Sequence, residues 1–147
     1  IVHFFIIGIM LVIFIVLGHF PGIYVLQLPI YLLLMITFFT FWSLFSSMLS
    51  AMSRDFMNLV KAFVTPIFWL SGIMYDVSRI HIEWIQKVML FNPVSYFATG
   101  YRNTLIYGRW IWEDVTSLIC FLAVLVVMCI AAVWAYKRTV QEIPDIL

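Results

Sequence analysis

The stretch VTSLICFLAVLVVMCIAAVWAY, Val115 to Tyr136, carries no charged side chain, holds only Thr116 and Ser117 as polar residues near its start, and is closed by Lys137-Arg138. A bilayer core about 30 Å thick is crossed by roughly 20 apolar residues of helix, and this run meets that length. Composition says the same of the whole chain. Of 147 residues 65% are hydrophobic and 10% charged, against roughly 45–50% and about 25% in an ordinary soluble domain. Too few polar side chains are present to cover a water-exposed exterior, so lipid must solvate much of the surface. A formal net charge of +1 excludes polyanion binding through net charge, and no nucleic-acid partner is expected.

Working outward from that run, further spans come into view. Ile1 to Gly18 is uncharged apart from His3, and Gly18 to Gly22, with Pro21 between them, reads as a turn. The chain begins at Ile1 with no initiator Met and no basic stretch before the apolar run, which reads as part of a longer protein. From Ile30 to Ser53 comes a second uncharged run, stopped by Arg54-Asp55. A third is counted from Phe56 to Tyr75, with Lys61 snorkelling to the headgroups and a kink allowed at Pro66. The spans expected are therefore about 1–18, 30–53, 56–75 and 115–136, in a single transmembrane domain with a polar tail at 137–147.

Between Asp76 and Asp114 four basic and four acidic residues mix with three Trp and three Tyr, and no apolar run is long enough to cross. Ile82 to Phe91 reads as a short amphipathic helix. Asn92-Pro93 then supplies a helix cap and a proline at the first helical position, so a second short helix is predicted from Pro93 to about Tyr107, ending at Gly108. Ser95, Thr99, Arg102 and Asn103 fall on one face of it at i, i+4, i+7 and i+8, with Val94, Phe97, Ala98, Tyr101 and Leu105 on the other. Region 81–108 thus forms two short helices that lie in the interface or dip into the bilayer and return. The fold class is an all-α integral membrane protein with four transmembrane helices and two short re-entrant or interfacial helices between the last two. The positive-inside rule ties: Arg54, Lys61, Lys137 and Arg138 stand against Arg79, Lys87, Arg102 and Arg109.

No phosphate-binding loop, zincin motif or paired-cysteine motif occurs, and His3, His19 and His81 are scattered in this topology. Cys120 and Cys129 lie about 180° apart on a helix, so they cannot bridge within it and read as small hydrophobes. No catalysis, metal or cofactor is therefore expected on this chain. Any ATP would bind a partner.

Four features could bear on transport. Thr40, Ser43, Ser47 and Ser50 recur within an arc of about 80° on the second span, as a small-residue packing seam or as the polar wall of a path. Trp84, Phe91, Tyr96, Phe97, Tyr101, Tyr107, Trp110 and Trp112 form a headgroup-level aromatic belt, or a subset of them lines an exit on which sugar rings slide. Arg102, beside Tyr101, requires a carboxylate such as Glu113 or Asp114, a lipid headgroup or a phosphate-bearing substrate. Arg54 and Asp55, followed by Asn58 and Lys61, read as a short polar connection, either a plain turn or part of a partner-facing surface.

The order Ser53-Arg54-Asp55-Phe56, Thr65-Pro66-Ile67-Phe68, Asn92-Pro93 and Gly100-Tyr101-Arg102-Asn103 resembles the C-terminal half of ABC-2 type permeases, in the branch exporting lipid-linked polysaccharides and teichoic acids. The resemblance covers the whole chain and leans towards the teichoic-acid type through Gly100 to Asn103. It implies that the spans are the third to sixth of six, that Arg54 to Lys61 is cytoplasmic, and that the short helices are re-entrant on the outer face. It further implies a bacterial plasma membrane location, pairing of two permease chains, and two nucleotide-binding ATPase subunits that bind ATP and drive export of an undecaprenyl-linked polymer. On this basis Thr40, Ser43 and Ser47 are assigned to the path wall, Tyr96, Tyr101 and Arg102 to the re-entrant exit, and Arg54 and Asp55 to the side facing the ATPase. An ABC-2 exporter of drugs or small lipophilic molecules, and a non-transporting membrane scaffold or enzyme, are the competing readings.

Overall fold

The computed structural model describes residues 2–18, 22–73 and 82–142, and every regular element among them is helical. Six α-helices follow in order: α1 (Val2–Val16), α2 (Leu28–Met52), α3 (Arg54–Leu70), α4 (Glu83–Leu90), α5 (Pro93–Arg102) and α6 (Val115–Glu142). A 3-10 segment, Gly22–Gln27, leads into α2, and a π-helical turn, Asn103–Tyr107, prolongs α5.

The helix ends follow from local chemistry. The Val94 N–H donates to Asn92 Oδ1 at 3.0 Å and Pro93 takes the first helical position, so α5 starts where the sequence expects it. Gly108, in the left-handed region at φ +60°, closes the π turn with its N–H on the Asn103 carbonyl. Asp114 caps α6, accepting from the Ser117 N–H at 3.2 Å and the Ser117 hydroxyl at 2.6 Å.

Three helix ends differ from the expected boundaries. Arg54 and Asp55 are not a connection but the first turn of α3: Ser53, extended at φ −144° and ψ 124°, is the sole break, and its hydroxyl accepts the Phe56 N–H at 3.4 Å. α3 ends at Leu70, short of Tyr75, because the chain turns at Ser71 and at Gly72, whose φ is +69°. α6 runs on past Tyr136, where the expected span ends, through Lys137 and Arg138 to Glu142. Residues 19–21, 74–81 and 143–147 lie outside the described residues, and with them His19, Tyr75, Arg79, His81 and the last five residues of the expected tail.

Gly22–Met52 and Val115–Thr139 are long and apolar enough to cross a membrane. α1 and α3 are shorter, with 15 and 17 described residues against 25 and 28 in α2 and α6. α2 packs mainly on α6, and the two run parallel. At one end Gln27 bonds to residues 109 and 111 just before α6; at the other, Thr139 Oγ1 donates to Met52 Sδ at 3.7 Å. These are called below the Gln27 end and the Ser53 end. α3 folds back from the latter, with Phe56 edge-on to Phe45 at 6.1 Å.

α5 climbs beside α2 towards the Gln27 end, from Phe97 near Phe39 (6.4 Å between rings) to Tyr101 near Tyr31 (6.1 Å). Phe38 stands about 15 Å along α2 from Leu28, so the α4–α5 turn reaches roughly halfway down before the chain returns. The core forms there, from Tyr31, Phe38, Tyr96, Phe97 and Phe121. Tyr96 stacks on Phe121 at 4.4 Å and 7°, and Phe97 meets it edge-on at 5.1 Å. Elsewhere large apolar side chains face outward, among them Leu33 at 65%, Val127 at 63% and Ile130 at 64% exposure. Lipid or another protein must cover such a surface.

Candidate functional site

The polar face of α5 read from the sequence opens onto a cavity of about 570 Å³, which Ser95, Thr99, Arg102 and Asn103 all line. Gln86, Met89 and Leu90 of α4 form a second wall, and Tyr107, Arg109, Asp114 and Ser117 close it at the head of α6. On the opposite side of α5 lies an apolar cavity of about 310 Å³, bounded by Met35, Phe39, Val94, Phe97 and Tyr101. Arg102 borders both.

The sequence supplies the reasons for this geometry. Gly100 has no side chain, which lets α5 approach α2: a Cβ there would lie 2.7 Å from Tyr31 Cζ. Gln27, 1% exposed, donates through Nε2 to the Arg109 carbonyl at 2.6 Å and accepts the Ile111 N–H at Oε1 at 2.8 Å. That pair of bonds fixes the segment carrying Arg109 and Asp114 to the start of α2. Tyr24, 5.1 Å from Trp110, and the Trp110–Trp112 stack at 4.7 Å continue the same contact.

The expected site residues are not all brought together. Tyr96 lines the polar cavity while its ring belongs to the core, and Tyr101 faces the apolar one. Arg102 Nη2 donates to the Gly72 carbonyl at 3.2 Å. The two carboxylates considered for it are engaged locally: Glu113 Oε1 accepts the Trp110 N–H at 2.9 Å, and Asp114 caps α6. Thr40, Ser43 and Ser47 are exposed on α2 and border neither cavity. Thr40 Oγ1 donates back to the Ile36 carbonyl at 2.8 Å. Arg54 and Asp55 are exposed at the far end of the bundle.

The aromatic set also divides. Tyr96 and Phe97 are interior, whereas Trp84, Phe91, Tyr107 and Trp112 are exposed as a belt requires. Sequence reasoning passed over Gln27 and Gly100 as structural determinants. It identified the Ser95 face without naming Ser95, Thr99 or Asn103 as site residues, although their spacing was the signal.

Among known proteins, the ABC-2 type transporter family model matches residues 1–106, the part holding α1 to α5 and Arg102. Over 137 residues the chain is 26% identical to the O-antigen export system permease protein RfbA of Myxococcus xanthus, covering 92% of this chain and 52% of that protein. The chain thus spans about half the length of the curated relative it matches. No solved structure matches. With the family model covering most of its length, this chain belongs to the ABC-2 type transporter family.

Proposed function

We propose that this chain is the C-terminal half of a permease that moves a lipid-linked polysaccharide across a bacterial plasma membrane. In this reading α1, α2, α3 and α6 cross the bilayer, and α4 and α5 form a re-entrant hairpin on the outer side. Two permease chains pair, and a separate nucleotide-binding subunit hydrolyses ATP and engages the side that carries Arg54 and Asp55. Thr40, Ser43 and Ser47 belong to the path wall, and Tyr96, Tyr101 and Arg102 to the exit.

The observation that carries the reading is the division made by α5. A polar cavity lies on one of its sides, an apolar cavity on the other, and a guanidinium borders both. An amphiphile with a hydroxyl-rich head and a hydrocarbon carrier matches that pairing better than a uniformly lipophilic drug does. The name of the Myxococcus relative, an O-antigen export permease, supports the same substrate class; a teichoic acid is another polymer within it.

The test is surface-polymer export by the complete permease with its ATPase, in cells lacking their own exporter. Arg102→Ala is expected to lower export about tenfold or more, as loss of a charge-assisted contact does, with the protein still assembled in the membrane. Export at the wild-type level would remove Arg102 from the exit. Drug efflux with no polymer at the surface would overturn the polysaccharide reading.

A further inference from the structure

We infer that the cavity of about 570 Å³ between α4, α5 and the head of α6 is a saccharide subsite built within a single permease chain, where Ser95 and Tyr96 hydrogen-bond a neutral hexopyranose unit. The inference rests on the polysaccharide reading above and adds to it a specific place and two specific hydroxyls.

Ser95 and Tyr96 are 4% and 8% exposed, and neither the Ser95 Oγ nor the Tyr96 hydroxyl meets a hydrogen-bond partner among the described residues. A buried hydroxyl without a partner is destabilising, so a pair of them on one cavity wall calls for a ligand that both donates and accepts. The Tyr96 ring is held by its stack on Phe121 and by Tyr31 at 5.8 Å, so its hydroxyl is preorganised.

The remaining wall narrows the chemistry. Thr99 and Asn103 add a hydroxyl and an amide, groups of both polarities. Arg102 and Arg109 stand against Asp114, so a purely anionic ligand meets a carboxylate and a cationic one meets two guanidiniums. Pyranose hydroxyls, which both donate and accept, suit this mixed wall without adding charge. The volume lies within the range of roughly 300–1,000 Å³ typical of small-ligand sites. The exposed Thr40, Ser43 and Ser47 stripe lies outside this cavity, so the subsite is separate from the proposed path wall.

The test uses the complete permease with its ATPase in lipid nanodiscs, probed by ligand-observed NMR with methyl α-D-mannopyranoside and methyl α-D-glucopyranoside. sn-Glycerol 3-phosphate serves as the charged headgroup probe. A glycoside is expected to bind, and Ser95→Ala and Tyr96→Phe are each expected to weaken it about tenfold. Without ligand, both variants should melt at or above the wild-type temperature, because each loses an unpartnered hydroxyl. Unchanged affinity in both variants, binding of glycerol phosphate in place of the glycosides, or a lowered melting temperature without ligand would overturn the subsite. Polymer export by a complex that binds no glycoside would also overturn it while leaving the export reading intact. Glycoside binding sensitive to both substitutions, in a complex that exports no polymer, would uphold the subsite and count against export alone.

Discussion

The two ends of the helical bundle are built differently. At the Gln27 end, α2, α5 and α6 enclose five buried aromatic residues, and a buried glutamine ties two distant segments together. At the Ser53 end the same α2 and α6 continue, but the buried residues of α6 there are small, Ala132 and Ala135, and many large side chains face outward. One end is thus a tertiary core of its own, and the other depends on what surrounds it. The difference teaches where specificity resides: in lipid, apolar side chains gain little by leaving the solvent, so only close packing and satisfied polar groups hold helices in one arrangement.

The largest expected effect is on that core. Phe121 is 1% exposed and contacts both Tyr96 and Phe97, so Phe121→Ala should cost ~3–5 kcal/mol of stability, read as a lowered melting temperature of the complete permease in detergent. Next comes Gln27→Leu, which keeps the volume but strands the Arg109 carbonyl and the Ile111 N–H. A loss of ~2–4 kcal/mol is expected, together with faster hydrogen exchange at Ile111. Gly100→Ala forces a methyl into the Tyr31 ring and should cost ~1–3 kcal/mol. At the other end, Val127→Ala removes an exposed side chain and should stay within about 0.5 kcal/mol of wild type. A Val127→Ala loss equal to that of Phe121→Ala would erase the contrast.

What the sequence made legible was whatever is encoded locally. Val115 as the start of α6, Asn92-Pro93 as the cap of α5 and Gly108 as its stop depend on neighbours a few residues away, and all three stand as read. The polar face through Ser95, Thr99, Arg102 and Asn103 was equally visible, because one helical period reveals it. Gln27 was not, since its partners lie 82 and 84 residues along the chain and no periodicity reports on them. Tyr96 and Phe97 looked like interfacial aromatics because composition cannot tell a ring at headgroup depth from one stacked inside. Arg54 and Asp55 looked like a loop because charge was taken as the end of a helix, whereas one extended residue, Ser53, suffices to separate two helices.

The parallel course of α2 and α6 has an electrical consequence. Antiparallel neighbours cancel their peptide dipoles; these two add, and bring roughly half a positive charge each to the Gln27 end. No side chain caps the first turn of α2, whereas Asp114 sits directly on the head of α6. α3 and α5 run the other way and bring their negative ends to the same side, so the helix ends there largely offset one another, and Asp114 answers the one positive end it touches, the head of α6.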